Sequence, residues 1–195
     1  MTTPTAPITV RDAIYARRSV RHYTGERLAE ATVRELIAAA VRAPTAIHEE
    51  PWQFLVVQDE STLRRLSERA KVQFEADARR LHLDRGARGL DAFAQPDFNV
   101  FYDAGTLIVI CGKPMGPFVV ADCWLAAENL MLAAHALGLG SCVIGSAVAA
   151  LNAPDVKKEL GIPADSTAFA PLIVGTPQGD WPATARKPAQ IIGWR

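Results

Sequence analysis

No single motif in this sequence announces a chemistry. The three cysteines, Cys111, Cys123 and Cys142, form no CxxC pair, and their number is odd. Each lies among apolar residues, so they read as small buried hydrophobes in a reducing compartment, not as a disulfide set or a metal site. There is no HExxH and no second spaced pair of ligands, which removes the common zinc-enzyme patterns. Neither charge is in excess: Lys plus Arg and Asp plus Glu both number 21. A neutral chain gives no reason to expect nucleic acid or an anionic membrane as partner. The opening residues, MTTPTAPITV, lack the basic and apolar regions of a secretory leader. The longest hydrophobic helix candidate carries Asp122, Glu128 and His135, so no stretch reads as a bilayer span. A cytoplasmic location is the resulting expectation. The Gly138-Leu139-Gly140 turn follows a helix and not a strand, so a dinucleotide fingerprint fails on context. We find no catalytic triad or paired carboxylates.

What remains is a globular composition, 49% hydrophobic and 22% charged over 195 residues. That length supports one sizeable core. We expect a single α+β domain over 1–195, with a loose arm at 1–8, an extended tail at 176–195, and helices around a mixed, mainly antiparallel sheet. Thr9 and Asp12 fit a capping box opening a first helix to about Arg17, with Ile8 placed to staple onto Ala13. Val33, Leu36, Ile37, Ala40 and Val41 mark the core stripe of a second helix, ended by Pro44. Phe54 to Val57 reads as a strand, and Ser61 as the cap of a third helix. Residues 75–100 read as helix followed by a mobile loop. The run Thr106 to Cys111 is apolar throughout, as in a strand buried on both faces. Residues 119–137 form a helix that is hydrophobic almost all round and must be covered on every side. A second copy of the chain is one economical cover. Gly138 and Gly140 end that helix, Ser141 to Gly145 is a strand, Pro154 opens a short helix, and Ala168 to Gly175 is the last core strand.

Two basic clusters bear on function. Arg17, Arg18 and Arg21 surround Ser19 at the end of the first helix. Forked guanidinium donors and a hydroxyl suit a phosphate, while a solvated basic turn at a helix C-terminus would look the same. Arg186 and Lys187, before Pro188, form the second cluster. They clamp a phosphate with the first only if the fold brings the two together.

The order of these features resembles the nitroreductase family of flavoproteins. RRSVRHY is similar to that family's Arg-x-Ser-x-basic motif. APTAIHEEPWQFLVV stands where the family shows Pro-Ser-x-x-Asn-x-Gln-Pro-Trp. ADCWLAAENLMLAAHALGLGSCVIG resembles its long dimer-interface helix, Gly-Leu-Gly turn and following strand, and PLIVGTP and RKP resemble its last strand and closing phosphate contact. The resemblance covers about residues 9 to 190. It implies a homodimeric FMN enzyme that takes electrons from NADH or NADPH and passes them, by ping-pong, to a nitroaromatic, quinone or similar small acceptor. It implies that Arg17, Arg18, Ser19, Arg21, Thr45, His48, Ile144, Gly145 and Arg186 contact FMN. In that assignment Arg21 approaches the pyrimidine side of the ring, Thr45 lies close to it, and Ile144 and Gly145 offer backbone amides. No side chain is expected to act as catalytic acid or nucleophile.

The departures leave readings open. The family's Asn and Gln are His48 and Glu50 here. His48-Glu49-Glu50 is either a variant loop with solvated carboxylates, or a remade pocket in which His48 stays near the flavin or the dimer partner. His135, in the apolar helix, reads as a satisfied core or interface histidine. Three functions compete with electron transfer: consuming the flavin, removing halogen, and holding flavin without turnover.

Overall fold

The computed structural model describes residues 8–80, 90–93, 95–179 and 183–195. Helix α1, Val10–Ala16, opens on the expected box: the Asp12 amide donates to Thr9 Oγ1 at 3.1 Å, and the Thr9 amide reaches back to Asp12 Oδ2 at 3.3 Å. Apart from Ile8, the expected arm at 1–8 lies outside the described residues. Helix α2, Glu30–Ala40, stops before Pro44, its last turn tightening at Val41. Strand β1, Trp52–Val57, begins two residues earlier than expected.

Helix α3, Glu60–Arg80, corrects the expected cap. Asp59, not Ser61, closes its N-terminus, with Oδ2 accepting from the Thr62 amide at 2.8 Å and from the hydroxyls of Ser61 and Thr62 at 2.6 and 2.7 Å. A carboxylate outcompetes a hydroxyl for the positive end of a helix. These donors hold the Asp59 carboxyl down at about 2. The expected loop within 75–100 falls partly on residues 81–89, outside the described residues; beyond them lies a short helix, α4, Leu90–Phe93.

Strand β2, Thr106–Gly112, helix α5, Val119–Ala136, strand β3, Gly140–Val143, and helices α6, Val148–Leu151, and α7, Pro154–Leu160, lead to strand β4, Thr167–Gly175. The four strands lie in the order β1-β2-β4-β3, each pair antiparallel. Parallel pairing among the described residues is confined to an isolated bridge between Ser19 and Ser141. β2 is buried at every position, and its period-2 alternation divides the core. Leu107, Val109 and Cys111 face a cluster with Leu63, Leu66, Phe101 and Leu151. Ile108 and Ile110 face a second cluster with Leu36, Leu130 and Leu172. Helices α3 and α6 therefore cover one face of the sheet and α2 and α5 the other. All three cysteines are buried, and burial pushes the thiols of Cys111 and Cys123 up to about 11 and 12 and that of Cys142 upward.

One expectation about α5, the glycines that end it, needs correction. The helix is only partly covered within one chain. Cys123, Ala126, Ala127, Leu130 and Ala134 are fully enclosed, whereas Trp124 and Leu125 remain 40% and 45% exposed and Phe118, just before the helix, 57%. Its end is set by Gly138 alone, since Gly140 already belongs to β3. Gly138 takes φ 74°, and the Leu139 and Gly138 amides return to the Ala134 and His135 carbonyls at 2.8 and 3.0 Å. That pairing closes the orphan carbonyls of the last turn and favours glycine at the left-handed position. β3 correspondingly ends at Val143, short of the expected Gly145. No helix among the described residues is long and apolar enough to cross a membrane.

Candidate functional site

The chain leaving α1 is pinned to β3. The Val20 amide donates to the Ser141 carbonyl at 3.0 Å, next to the Ser19–Ser141 bridge, and Tyr23 anchors the segment from beneath by donating its hydroxyl to the Val20 carbonyl at 2.8 Å. Arg17 and Arg18 thereby reach one side of a cleft of about 130 Å³ whose other walls are His135, Gly138, Leu139, Ser141 and Pro177. Among the described residues no carboxylate lines this cleft. Arg18 donates one guanidinium nitrogen to the Tyr15 and Arg17 carbonyls at 2.7 and 2.8 Å, closing α1 as a helix-end arginine should. Arg17 leans toward Glu128 of α5, 3.4 Å from Nε to Oε1, but that nitrogen is buried and has no hydrogen-bond partner.

Arg21 points elsewhere. Its guanidinium lies 5.8 Å from the centre of the Tyr102 ring. Thr45 and His48 lie at the other end of α5, in the loop around the turn Ala46–His48. This loop carries three non-glycine residues in left-handed backbone, Ile47 at φ 47°, His48 at 59° and Glu50 at 45°. Such conformations cost about 1–3 kcal/mol each and persist only where the surroundings fix them. Asp122 supplies part of that restraint. The carboxylate, in the first turn of α5 and 2% exposed, accepts the Ala46 amide on Oδ1 at 3.2 Å. Its Oδ2 is buried without a partner. His48 and Glu50 are exposed.

Ile144 and Gly145 follow β3, but not as a matched pair of free amides. The Ile144 amide is committed to the Pro171 carbonyl at 2.8 Å, so a ligand contact here falls to Gly145. Gly145 is exposed, with nothing within 4 Å of where a Cβ would stand. Arg186 is exposed and is not among the residues that line the cleft. The structure therefore brings Arg17, Arg18 and Ser19 to one edge of β3 and places Arg21, the 45–50 loop and Arg186 apart from the cleft.

The profile of the nitroreductase family matches residues 14–176. The chain belongs to the nitroreductase family. An Archaeoglobus fulgidus protein named "Putative NADH dehydrogenase/NAD(P)H nitroreductase" is 30% identical over 172 residues, covering 86% of this chain and 84% of that protein. The crystal structure of a nitroreductase with bound FMN from Bacteroides fragilis is 26% identical, with a TM-score of 0.80 over 95% of this chain and 98% of that one. Oxidised iodotyrosine deiodinase, bound to FMN and 3-iodo-L-tyrosine, is similar at 25% identity and a TM-score of 0.72, over 94% and 97% of the two chains. The nitroreductase family thus includes this chain, and the antiparallel sheet between helices is the family's fold.

Sequence reasoning missed two residues of this nitroreductase-family chain. Asp122 reads as one polar interruption of an apolar helix, yet it holds the strained loop. His135 reads as a satisfied core or interface histidine, yet its Nε2 is buried without a partner and the residue lines the cleft with Arg17 and Arg18. Its pKa is lowered by burial first, then by Arg18 and Arg17. The signal available was a helix-terminal histidine beside Gly138; its arginine neighbours lie far away in sequence.

Proposed function

We propose that the chain, as one domain, binds FMN and works as a homodimeric NAD(P)H-dependent oxidoreductase. The observation that carries this is the cleft at the edge of β3: Arg17 and Arg18 line it, Arg17 Nε is buried without a hydrogen bond, and among the described residues no carboxylate is in the lining. Two guanidinium groups along a cleft whose described lining holds no acid fit a phosphate. It stands where the family resemblance put the FMN phosphate.

Arg17, Arg18 and Ser19 would hold the phosphate, with Arg186 arriving from the tail. Arg21 would bring positive charge toward the ring, where it favours the reduced form over the oxidised. Thr45 and His48 would bound the ring side, and Gly145 would let it approach the backbone closely. FMN, once bound, would supply the redox chemistry, accepting hydride from NADH or NADPH and passing electrons to a nitroaromatic, quinone or similar small acceptor in a ping-pong sequence. The family relatives' names support the nicotinamide donor. Exposed Phe118, Trp124 and Leu125, along with exposed Ile14 and Tyr15 of α1, support a second copy as the cover of α5.

The test is an absorption spectrum of the purified protein before and after anaerobic NADH or NADPH. A flavin spectrum that bleaches is the expected result. No flavin uptake on incubation with FMN refutes the reading, and a bound flavin that neither nicotinamide reduces assigns the chain to flavin holding or to dehalogenation.

A further inference from the structure

Two residues that line the cleft at the edge of β3 each carry a buried nitrogen without a hydrogen-bond partner, Arg17 Nε and His135 Nε2. Buried polar atoms are normally satisfied, and one left alone is destabilising. Arg18 and Ser141 share that lining, and Glu128, outside it, stands 3.4 Å from Arg17 Nε, so the atom left wholly without an acceptor is His135 Nε2, in a cleft walled by two arginines. The volume, about 130 Å³, suits a small oxyanion.

We propose that His135 is a phosphate ligand of this cleft and that it gains a proton when the phosphate arrives. The proposal rests on the FMN reading above and adds to it a fourth cationic group, one supplied by α5 and not by the arginine loop.

The charges around the ring decide the coupling. His135 sits in the last turn of α5, where the helix's free carbonyl end favours imidazolium. Burial and the guanidiniums of Arg18 and Arg17 favour the neutral ring, and they win in the empty cleft. Glu128 is turned to Arg17, and the Cys142 thiol, pushed up by burial, is neutral and adds no charge. A phosphate dianion between the arginines and the imidazole reverses the balance. His135 then takes one proton from solvent at one ring nitrogen and donates Nε2–H to a phosphate oxygen. By linkage, whatever the phosphate does to the proton affinity of His135, the proton does to the affinity for phosphate. Phosphate binding through His135 is therefore strengthened as pH falls through the raised midpoint of the occupied state. It gains nothing further below the midpoint of the empty state.

The experiment compares FMN with riboflavin, which lacks the phosphate, on wild type and His135→Gln by fluorescence titration between pH 6 and 8. The variant should lose roughly tenfold in FMN affinity, the scale of one charge-assisted contact, while riboflavin affinity stays the same. The ratio of variant to wild-type FMN dissociation constants should grow as pH falls. That ratio cancels the phosphate's own second ionisation near pH ~6. Equal FMN affinity in the two proteins, or equal loss of both flavins, overturns the proposal. A parallel NMR titration of the His135 ring with and without inorganic phosphate separates this proposal from the FMN reading. If wild type takes no FMN, the proposed function fails. The phosphate site then stands if phosphate raises the His135 midpoint and falls if the midpoint does not move.

Discussion

Gly140→Ala should loosen the phosphate loop from inside the protein. A Cβ at position 140 would stand 2.8 Å from Val20 Cβ, 2.8 Å from Cγ1 and 2.9 Å from Cγ2. All three distances are shorter than real carbon contacts, and Val20 is buried, so it has no room to turn away. Val20 must move bodily, which strains its 3.0 Å bond to Ser141 and lifts Ser19 from β3. Overpacking of this kind costs about 1–3 kcal/mol. At about 2–4 °C per kcal/mol for a chain of this size, Tm should fall by about 2–12 °C. Gly145→Ala provides the contrast. Nothing lies within 4 Å of its Cβ and its φ is not in the left-handed range, so stability should change by no more than about 0.5 kcal/mol. On the proposed FMN site both variants should bind FMN more weakly, the first because the loop has moved and the second because a methyl group enters the space proposed for the ring. Thermal denaturation with a fluorescence titration of FMN reads all four outcomes. Unchanged Tm in Gly140→Ala, or a larger drop in Gly145→Ala, would refute the packing argument.

Three further outcomes follow from the structure. Arg21→Ala should purify with less FMN and bind it about tenfold more weakly through loss of a charge-assisted contact; a full complement of cofactor would remove Arg21 from the site. Trp124→Glu places a charge on the exposed apolar face of α5 and should convert a dimer to a monomer by light scattering. A wild-type monomer, or a variant that stays dimeric, counts against that face as the interface. Asp59→Ala tests the cap of α3. The Asp59 carboxyl is depressed to about 2 by the Ser61 and Thr62 hydroxyls and the Thr62 amide, against about 3.9 when unfolded. Its stabilisation is complete above the unfolded value and lost as pH falls through the folded one. The Tm gap between wild type and variant should therefore close between pH 4 and 2, and a gap constant across that range would contradict the assignment.

Local chemistry was legible in the sequence wherever neighbours in the chain are neighbours in space. Thr9 and Asp12 formed their box, Pro154 opened its helix, and the unbroken apolar run of β2 lay buried on both faces. The cap of α3 shows the limit: Asp59 and Ser61 both suit an N-terminus, and choosing between them needs the backbone direction. Ile144 shows another, because its amide is consumed by Pro171, a partner that only strand register reveals. The site divides in the same way. RRSVR was readable as a basic loop, but the His135 ring that lines the same cleft belongs to a helix more than half the chain away. The strained backbone at Ile47, His48 and Glu50 was unreadable, since none of these is a residue that advertises positive φ.

Helix α5 acts as a gauge. Asp122 near its start holds the 45–50 loop, Glu128 leans on Arg17, and His135 at its end faces the cleft. At about 1.5 Å per residue the first and last of these stand roughly 20 Å apart along a rod that does not stretch. One residue inserted between Asp122 and Glu128 would swing everything beyond it by about 100°, carrying His135 off the arginine wall while Asp122 kept its loop. Surface connections in this protein can lengthen or shorten at little cost, but the count of residues inside α5 is fixed by the two sites it spaces.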